Sequence, residues 1–177
     1  CGWVWRTANW LRIIYEGLRQ EVFGAAYLQA DETPIRYICP GHGETKKGYL
    51  WVYLAPGRGV FFEWHASRGS KCLEDTLGAF DGTVQTDGYT AYESHNKARG
   101  DGRKLKLGNC WAHARRGFYR AQDESALAKA VLQDIQELYR VEAELREAGA
   151  DAQQREARRR ADSASMLAVI KGKLEAQ

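Results

Sequence analysis

At 177 residues, 44% of them hydrophobic, the chain holds enough apolar material for one sizeable core with an appended helical subdomain. No run of about 18 apolar residues exists, which excludes a membrane-spanning helix. Arg6, Arg12 and Glu16 interrupt the N-terminal apolar pattern too early for a secretory signal, and four cysteines without a regular framework fit a reducing cytoplasm. The net charge of +3 is by itself a weak pointer to a polyanionic partner. The chain opens on Cys1-Gly2-Trp3 inside a helical pattern, without an initiator Met, and stops at Gln177 without a capping cue, as expected of a piece of a longer protein.

In chain order, Trp3, Trp10, Ile14 and Leu18 recur at helical spacing and predict an amphipathic helix over 3–20. Residues 27–39, 49–55 and 60–65 are rich in β-branched and aromatic types. The stretches 41–48 and 56–59 between them carry turn chemistry, so the three read as an antiparallel meander. Ser70 is a candidate N-cap for a helix bearing Leu73, Leu77 and Phe80, with Gly82 as its end. A short strand over 84–87, a helix near 90–96 and a strand near 105–110 follow as crossover units, which set successive strands parallel. Helices are expected at 112–121, at 125–147 with the stripe Leu127, Val131, Ile135, Leu138 and Leu145, and, after Gly149, at 152–175. Three antiparallel strands feeding parallel ones make an α/β mixed sheet, and the chain divides into a leading helix (1–24), a sheet domain (25–122) and a helical subdomain (123–177).

Two acids break local rules. Asp31 stands inside a strand-like segment, in Ala30-Asp31-Glu32-Thr33-Pro34, where Asp is poorly suited and Pro34 would disrupt a central ladder. Asp87 ends the short strand before Gly88-Tyr89, at the kind of strand end where open α/β sheets bind ligands. Each alone has a bland reading as turn chemistry. Together, on strands that the crossover makes neighbours, they could share hard divalent cations of the kind that promote phosphodiester cleavage. Glu32 faces the other side of the sheet by alternation and reads as structural.

Basic residues cluster at Arg103, Lys104 and Lys106, at Arg115, Arg116 and Arg120, and at Arg155, Arg158, Arg159 and Arg160. Such clusters either neutralise phosphates or are solvated helix faces. Arg115 and Arg116 are the better candidates for phosphate contact, and His113 beside them is read either as close to a metal or phosphate or as a packed structural histidine. A competing metal reading uses Cys39-x-x-His42 and Cys110-x-x-His113 as zinc ligands, but tetrahedral closure needs the first hairpin beside the fifth strand, which a meander does not favour.

Four blocks carry a more specific signal: Ala30-Asp31-Glu32-Thr33-Pro34, Gly48-Tyr49-Leu50-Trp51-Val52-Tyr53, Gln85-Thr86-Asp87-Gly88-Tyr89-Thr90-Ala91-Tyr92 and Cys110-Trp111-Ala112-His113-Ala114-Arg115-Arg116. In this order and spacing the chain resembles the transposases of the insertion-sequence-66 family. Residues 1–24, and Leu138-Tyr139-Arg140-Val141-Glu142 with the Arg-rich helix after it, also resemble that family, whereas Cys39 and His42 depart from it. The resemblance implies a ribonuclease H-like fold with a helical insertion and an Asp-Asp-Glu triad that performs DNA cleavage and strand transfer with two Mg²⁺ or Mn²⁺ ions. It further implies transposon ends and target DNA as partners, with Lys104, Lys106, His113, Arg115 and Arg116 as DNA-contacting candidates. A homo-oligomer on DNA and a bacterial cytoplasm, at the nucleoid when bound to DNA, follow from the same resemblance. By position Asp31 and Asp87 correspond to the first two acids. The third lies in an Asn-Asn-Ala-Ala-Glu-Arg-type motif that this chain lacks, so the piece by itself is expected to be inactive. Glu142, which interrupts the apolar stripe of its helix, is the remaining candidate third acid, against an ion pair with an Arg of the basic helix. The rival function is a non-catalytic DNA-binding or assembly module.

Overall fold

The computed structural model describes residues 2–41, 43–100, 102 and 104–176. The chain divides into two compact units, Cys1–Cys110 and Trp111–Gln177. The first is built on a five-stranded sheet of β1 (Tyr27–Ile38), β2 (Thr45–Ala55), β3 (Gly59–His65), β4 (Thr83–Thr86) and β5 (Lys106–Asn109), in the order β3-β2-β1-β4-β5. β1–β2 and β2–β3 are antiparallel, β1–β4 and β4–β5 parallel, which is the mixed arrangement read from the sequence. Between β2 and β3 the chain reverses through Gly57 at φ +77°, a value at which a side chain is strained.

β1 outruns β4. It pairs with β4 only over Tyr27–Gln29 but with β2 from Gln29 to Ile38, so its second half has one neighbour. Pro34, opposite Tyr49, lies in that half, which is how a proline fits a strand that is central at its start. β2 starts at Thr45, so residues 45–48, read as part of the turn, extend this two-stranded ribbon instead.

Alternation along β1 buries Leu28, Ala30 and Glu32 on one face. Against that face pack Val22 from α1 (Gly2–Phe23), Leu73 and Leu77 from α2 (Cys72–Leu77), and Ala91 and Tyr92 from α3 (Thr90–Ala98), together with Trp51, Tyr53, Phe61 and Val84. Phe23 anchors the end of α1, its ring 5.1 Å from Tyr53 and 5.5 Å from Phe61. The apolar stripe that predicts α1 is not what is buried: Trp3, Trp10 and Ile14 are exposed, and Val22 is the buried residue of this helix.

α2 differs from its expectation at both ends. Lys71, not Ser70, holds the cap position, with no side-chain cap, and the helix stops at Leu77 rather than at Gly82. Its end is held from afar, since Arg99 Nη1 donates to the carbonyls of Leu77 (3.2 Å) and Phe80 (3.0 Å).

The second unit comprises α4 (Trp111–Ala121), α5 (Ala126–Glu147), α6 (Ala152–Arg158), a π-helical turn (Arg159–Ser163) and α7 (Ala164–Glu175). α4 is thereby grouped with the helices, whereas the sequence reading put it with the sheet. Ser125 Oγ caps α5 by accepting the Ala128 N–H, and Asp151 with Gln154 forms a capping box on α6. The predicted single basic helix over 152–175 is interrupted by the π turn. Val131 and Ile135 of α5 and Ile170 of α7 form the unit's core, flanked by Phe118, Leu127 and Leu138. Among the described residues no helix is long and apolar enough to cross a membrane.

Candidate functional site

Asp31 lies within β1, half-buried, and its Oδ1 accepts the backbone N–H of Glu32 at 2.8 Å. Asp87 is the first residue beyond β4, and its Oδ1 accepts the Tyr89 N–H at 2.8 Å. The turn between them is set by Gly88 at φ +89°, whose N–H is taken by Thr86 Oγ1 at 3.1 Å. Both carboxylates are thus oriented by their own local backbone.

The parallel register pairs Tyr27 with Thr83, Leu28 with Val84 and Gln29 with Gln85. Carried two residues further, the same register aligns Asp31 with Asp87. Side chains alternate along a strand, so Asp31 shares a face with Tyr27 and Gln29. On that face the Tyr27 hydroxyl donates to Gln85 Oε1, linking the two strands.

Glu32 points the other way, into the core, with its side chain fully buried and ion-paired to Arg68 from the segment between β3 and α2. Arg68 also reaches to 3.7 Å from Asp87 Oδ2 and lies over the Tyr89 ring, 3.8 Å from its centroid. Burial pushes the Glu32 carboxyl above its ordinary range; Arg68 opposes that shift, and the charges of Asp87 and Asp31 add to it. Tyr92 underlies the same corner. Its hydroxyl is pushed up by burial first, then by Tyr53, Glu32, Asp87 and Asp31. Among the described residues, Glu32 Oε2 and the Tyr92 hydroxyl are buried without a hydrogen-bond partner.

Glu32, Asp87 and one guanidinium therefore meet beside the end of β4, with Asp31 next to Glu32 on β1. The two aspartates offer hard oxygen donors, the set suited to Mg²⁺ or Mn²⁺ and not to a soft-metal site. Among the described residues no group of three or more His, Cys, Asp or Glu is placed to hold a metal ion, so Asp31 and Asp87 stand as a pair.

The other candidates lie elsewhere. Lys104 and Lys106 are exposed at the entry to β5 in the first unit, while His113, Arg115 and Arg116 belong to α4 in the second. Glu142, on α5, is gripped by Arg159 through two hydrogen bonds of 2.7 and 2.8 Å, the ion pair with the basic helix. Arg159, ahead of burial in effect, holds its carboxyl below the ordinary range. Of the Cys/His pairs, Cys39 and Cys110 are in the first unit and His113 in the second. His42, like Arg103 of the first basic cluster, falls outside the described residues. Arg68 and Tyr92 carry no signal of their own in the sequence. The signal that could have found Arg68 is Glu32, because an acid forced to the buried face by alternation requires a cation.

The profile of the Transposase IS66 family matches residues 1–177. Two curated relatives come from Sinorhizobium fredii (strain NBRC 101917 / NGR234). Uncharacterized protein y4qI is 32% identical over 182 residues, covering 95% of this chain and 33% of that protein. Uncharacterized protein y4jD is 30% identical over 184 residues, covering 97% of this chain and 36% of that protein. The chain spans about a third of the length of these relatives. No solved structure matches it. With a match that runs from the first residue to the last, across both the acidic sheet end and the helical unit, the chain belongs to the IS66 family of transposases.

Proposed function

We propose that the first unit is the front part of a ribonuclease H-like transposase core, that the second is a helical insertion, and that Asp31 and Asp87 hold divalent metal for DNA cleavage and strand transfer in the full-length protein. The observation that carries this reading is the parallel register of β1 and β4, which, carried two residues past Gln29 and Gln85, aligns Asp31 within β1 with Asp87 just after β4. Bound Mg²⁺ or Mn²⁺ supplies activation of the attacking oxygen and stabilisation of the leaving one. The chain's own residues orient the ligands: the Glu32 and Tyr89 N–H groups fix one oxygen of each aspartate. Arg68 pairs with the neighbouring buried Glu32 and so offsets one of the carboxylate charges gathered there. DNA is the partner, with transposon ends and target brought together by a homo-oligomer at the nucleoid.

Metal-dependent cleavage by the full-length protein tests this. Asp31→Asn and Asp87→Asn each reduce it by more than the roughly 10–100-fold that follows loss of a residue merely orienting a ligand, while circular dichroism remains that of the parent. Normal cleavage and joining by either variant overturns the assignment. A second reading, a DNA-binding or assembly module without chemistry, is favoured for the piece itself by the pair standing without a third acid among the described residues. It predicts DNA binding by residues 1–177 that weakens steeply with salt, without nicking in Mg²⁺ or Mn²⁺.

A further inference from the structure

The second unit carries a groove that the acidic pair does not explain. On α4, Ala112, Arg115, Arg116 and Tyr119 fall on one face at helical spacing, and on α5 Leu132, Gln136 and Tyr139 form the facing stripe. Together they line a cleft of about 590 Å³, within the range of about 300–1,000 Å³ that takes small organic ligands.

Its electrostatics differ from those of the arginine-rich run 158–160. Along α5, α6 and the π turn, Arg140, Arg158, Arg159 and Arg160 are each paired with an acid, and Lys173 of α7 is paired with Asp134. α4 contains no acidic residue, and among the described residues Arg115 and Arg116 make no ion pair. α4 buries none of its residues, so packing does not account for these cations either. Two aromatic rings are exposed in the same cleft, Tyr119 at 55% and Tyr139 at 42%. The Arg115 guanidinium lies 5.8 Å from the Tyr119 ring centroid, within cation–π range.

An anion-binding surface needs cations only. A duplex presents phosphates and base edges, so exposed aromatic faces gain little from it, whereas unpaired bases stack on such rings while the backbone tracks the cations. We infer that the groove between α4 and α5 binds single-stranded DNA, with phosphates on Arg115 and Arg116 and bases stacked on Tyr119 and Tyr139. This deepens the proposal that the protein acts on DNA and rests on it. Gln136 also lines the cleft, where its amide can meet a base edge.

The test is fluorescence anisotropy of the intact chain in EDTA, with a labelled single strand and with the duplex of the same sequence, between 50 and 200 mM salt. Tyr119→Ala and Tyr139→Ala each weaken single-strand binding by about 5–150-fold, the equivalent of about 1–3 kcal/mol per stacked base. Both leave duplex binding within about twofold, since its phosphate contacts are untouched. Tyr→Phe at either position keeps parental affinity, because the ring face and not the hydroxyl makes the contact. The double variant Arg115→Gln/Arg116→Gln lowers the salt slope on single strands by about 1.4, at roughly 0.7 per phosphate contact. Parental single-strand affinity in the folded Tyr→Ala variants overturns the inference, as does equal loss on both DNA forms. Polyglutamate that displaces the strand equally from parent and Tyr→Ala variants overturns it too, by revealing a plain anion surface. Because binding is read without metal, failure here leaves the cleavage phenotypes of the Asp31 and Asp87 variants standing, and failure of those variants leaves the groove result standing.

Discussion

Glu32 and Arg68 differ sharply in exposure: the glutamate side chain is at 0% and the arginine at 38%. Loss of either partner is therefore not equivalent. Removing Arg68 leaves a carboxylate inside the core without its cation, while removing Glu32 returns a half-exposed guanidinium to water. We expect Arg68→Ala to destabilise the fold by about 2–3 kcal/mol, below the roughly 3–5 kcal/mol for breaking a fully buried pair because Arg68 is partly solvated. Glu32→Gln in that background should recover part of the loss, since the amide carries no charge to bury. Urea denaturation of the two single variants and the double variant checks this; additive effects would show that the pair is not coupled. Metal titration of the same proteins adds a separate readout. If Arg68 positions Asp87, Arg68→Ala lowers Mn²⁺ affinity even where the fold is retained, and Arg68→Lys restores stability better than geometry, because Lys lacks the planar fork.

His95 gives the first unit a pH dependence. It is 2% exposed on α3, with Glu74 3.5 Å away. Burial lowers its pKa, with Glu74 opposing and Arg99 reinforcing. A histidine whose folded pKa lies below its unfolded value binds fewer protons folded than unfolded. Its contribution to stability is therefore complete above the unfolded value of about 6.5 and is lost as pH falls from there through the folded pKa. Denaturation midpoints of the parent should fall below pH 6.5 more steeply than those of His95→Asn. Parallel curves would remove His95 as the source.

At the scale of elements, what the sequence made legible follows from how local each signal is. The three-strand meander and the two crossover strands announce themselves through β-branched runs and turn residues, and they pair as those signals require. Asp31 stood out because it violates strand chemistry, and the violation is real, since the residue does lie inside β1. The errors fall where a distant residue decides the outcome. The end of α2 is set by Arg99, whose guanidinium reaches the carbonyls of Leu77 and Phe80 from beyond α3, so Gly82 misled as a stop signal. Turn chemistry at 45–48 lost to pairing with β1, and Pro34 proved compatible with β1 only because β4 is short. The alignment of Asp31 with Asp87 depends on strand register, which no local pattern encodes. Glu32 announces that a cation must meet it, but not that the cation is Arg68, whose partners lie far away in sequence, at positions 32 and 87.

At the scale of the whole molecule, the net charge of +3 hides two kinds of cation. The Arg-rich run after Gly149 looks in sequence like the strongest polyanion site. Yet Arg158 is paired with Glu144 and Asp162, Arg159 with Glu142, and Arg160 with Glu156. The exposed lysines at 104 and 106 and the arginines of α4 are not so neutralised among the described residues. Counterion release responds to cations that meet phosphates, and a cation already satisfied by an acid must first give up that partner. We therefore expect Arg158→Gln/Arg160→Gln to leave the salt dependence of DNA binding near that of the parent. Lys104→Gln/Lys106→Gln should lower the slope by up to about 1.8 on duplex, at roughly 0.9 per phosphate contact. Arg159→Gln belongs to the first class for DNA but not for stability, since it abolishes a two-pronged grip on Glu142 joining the π turn to α5. Its cost should be about 0.5–1 kcal/mol, modest because both side chains are partly solvated. Salt titrations of the three charge variants against one duplex, with urea midpoints for each, separate these effects. A loss of slope on changing Arg158 and Arg160 equal to that on changing the lysines would show that intramolecular pairing does not protect those arginines from DNA.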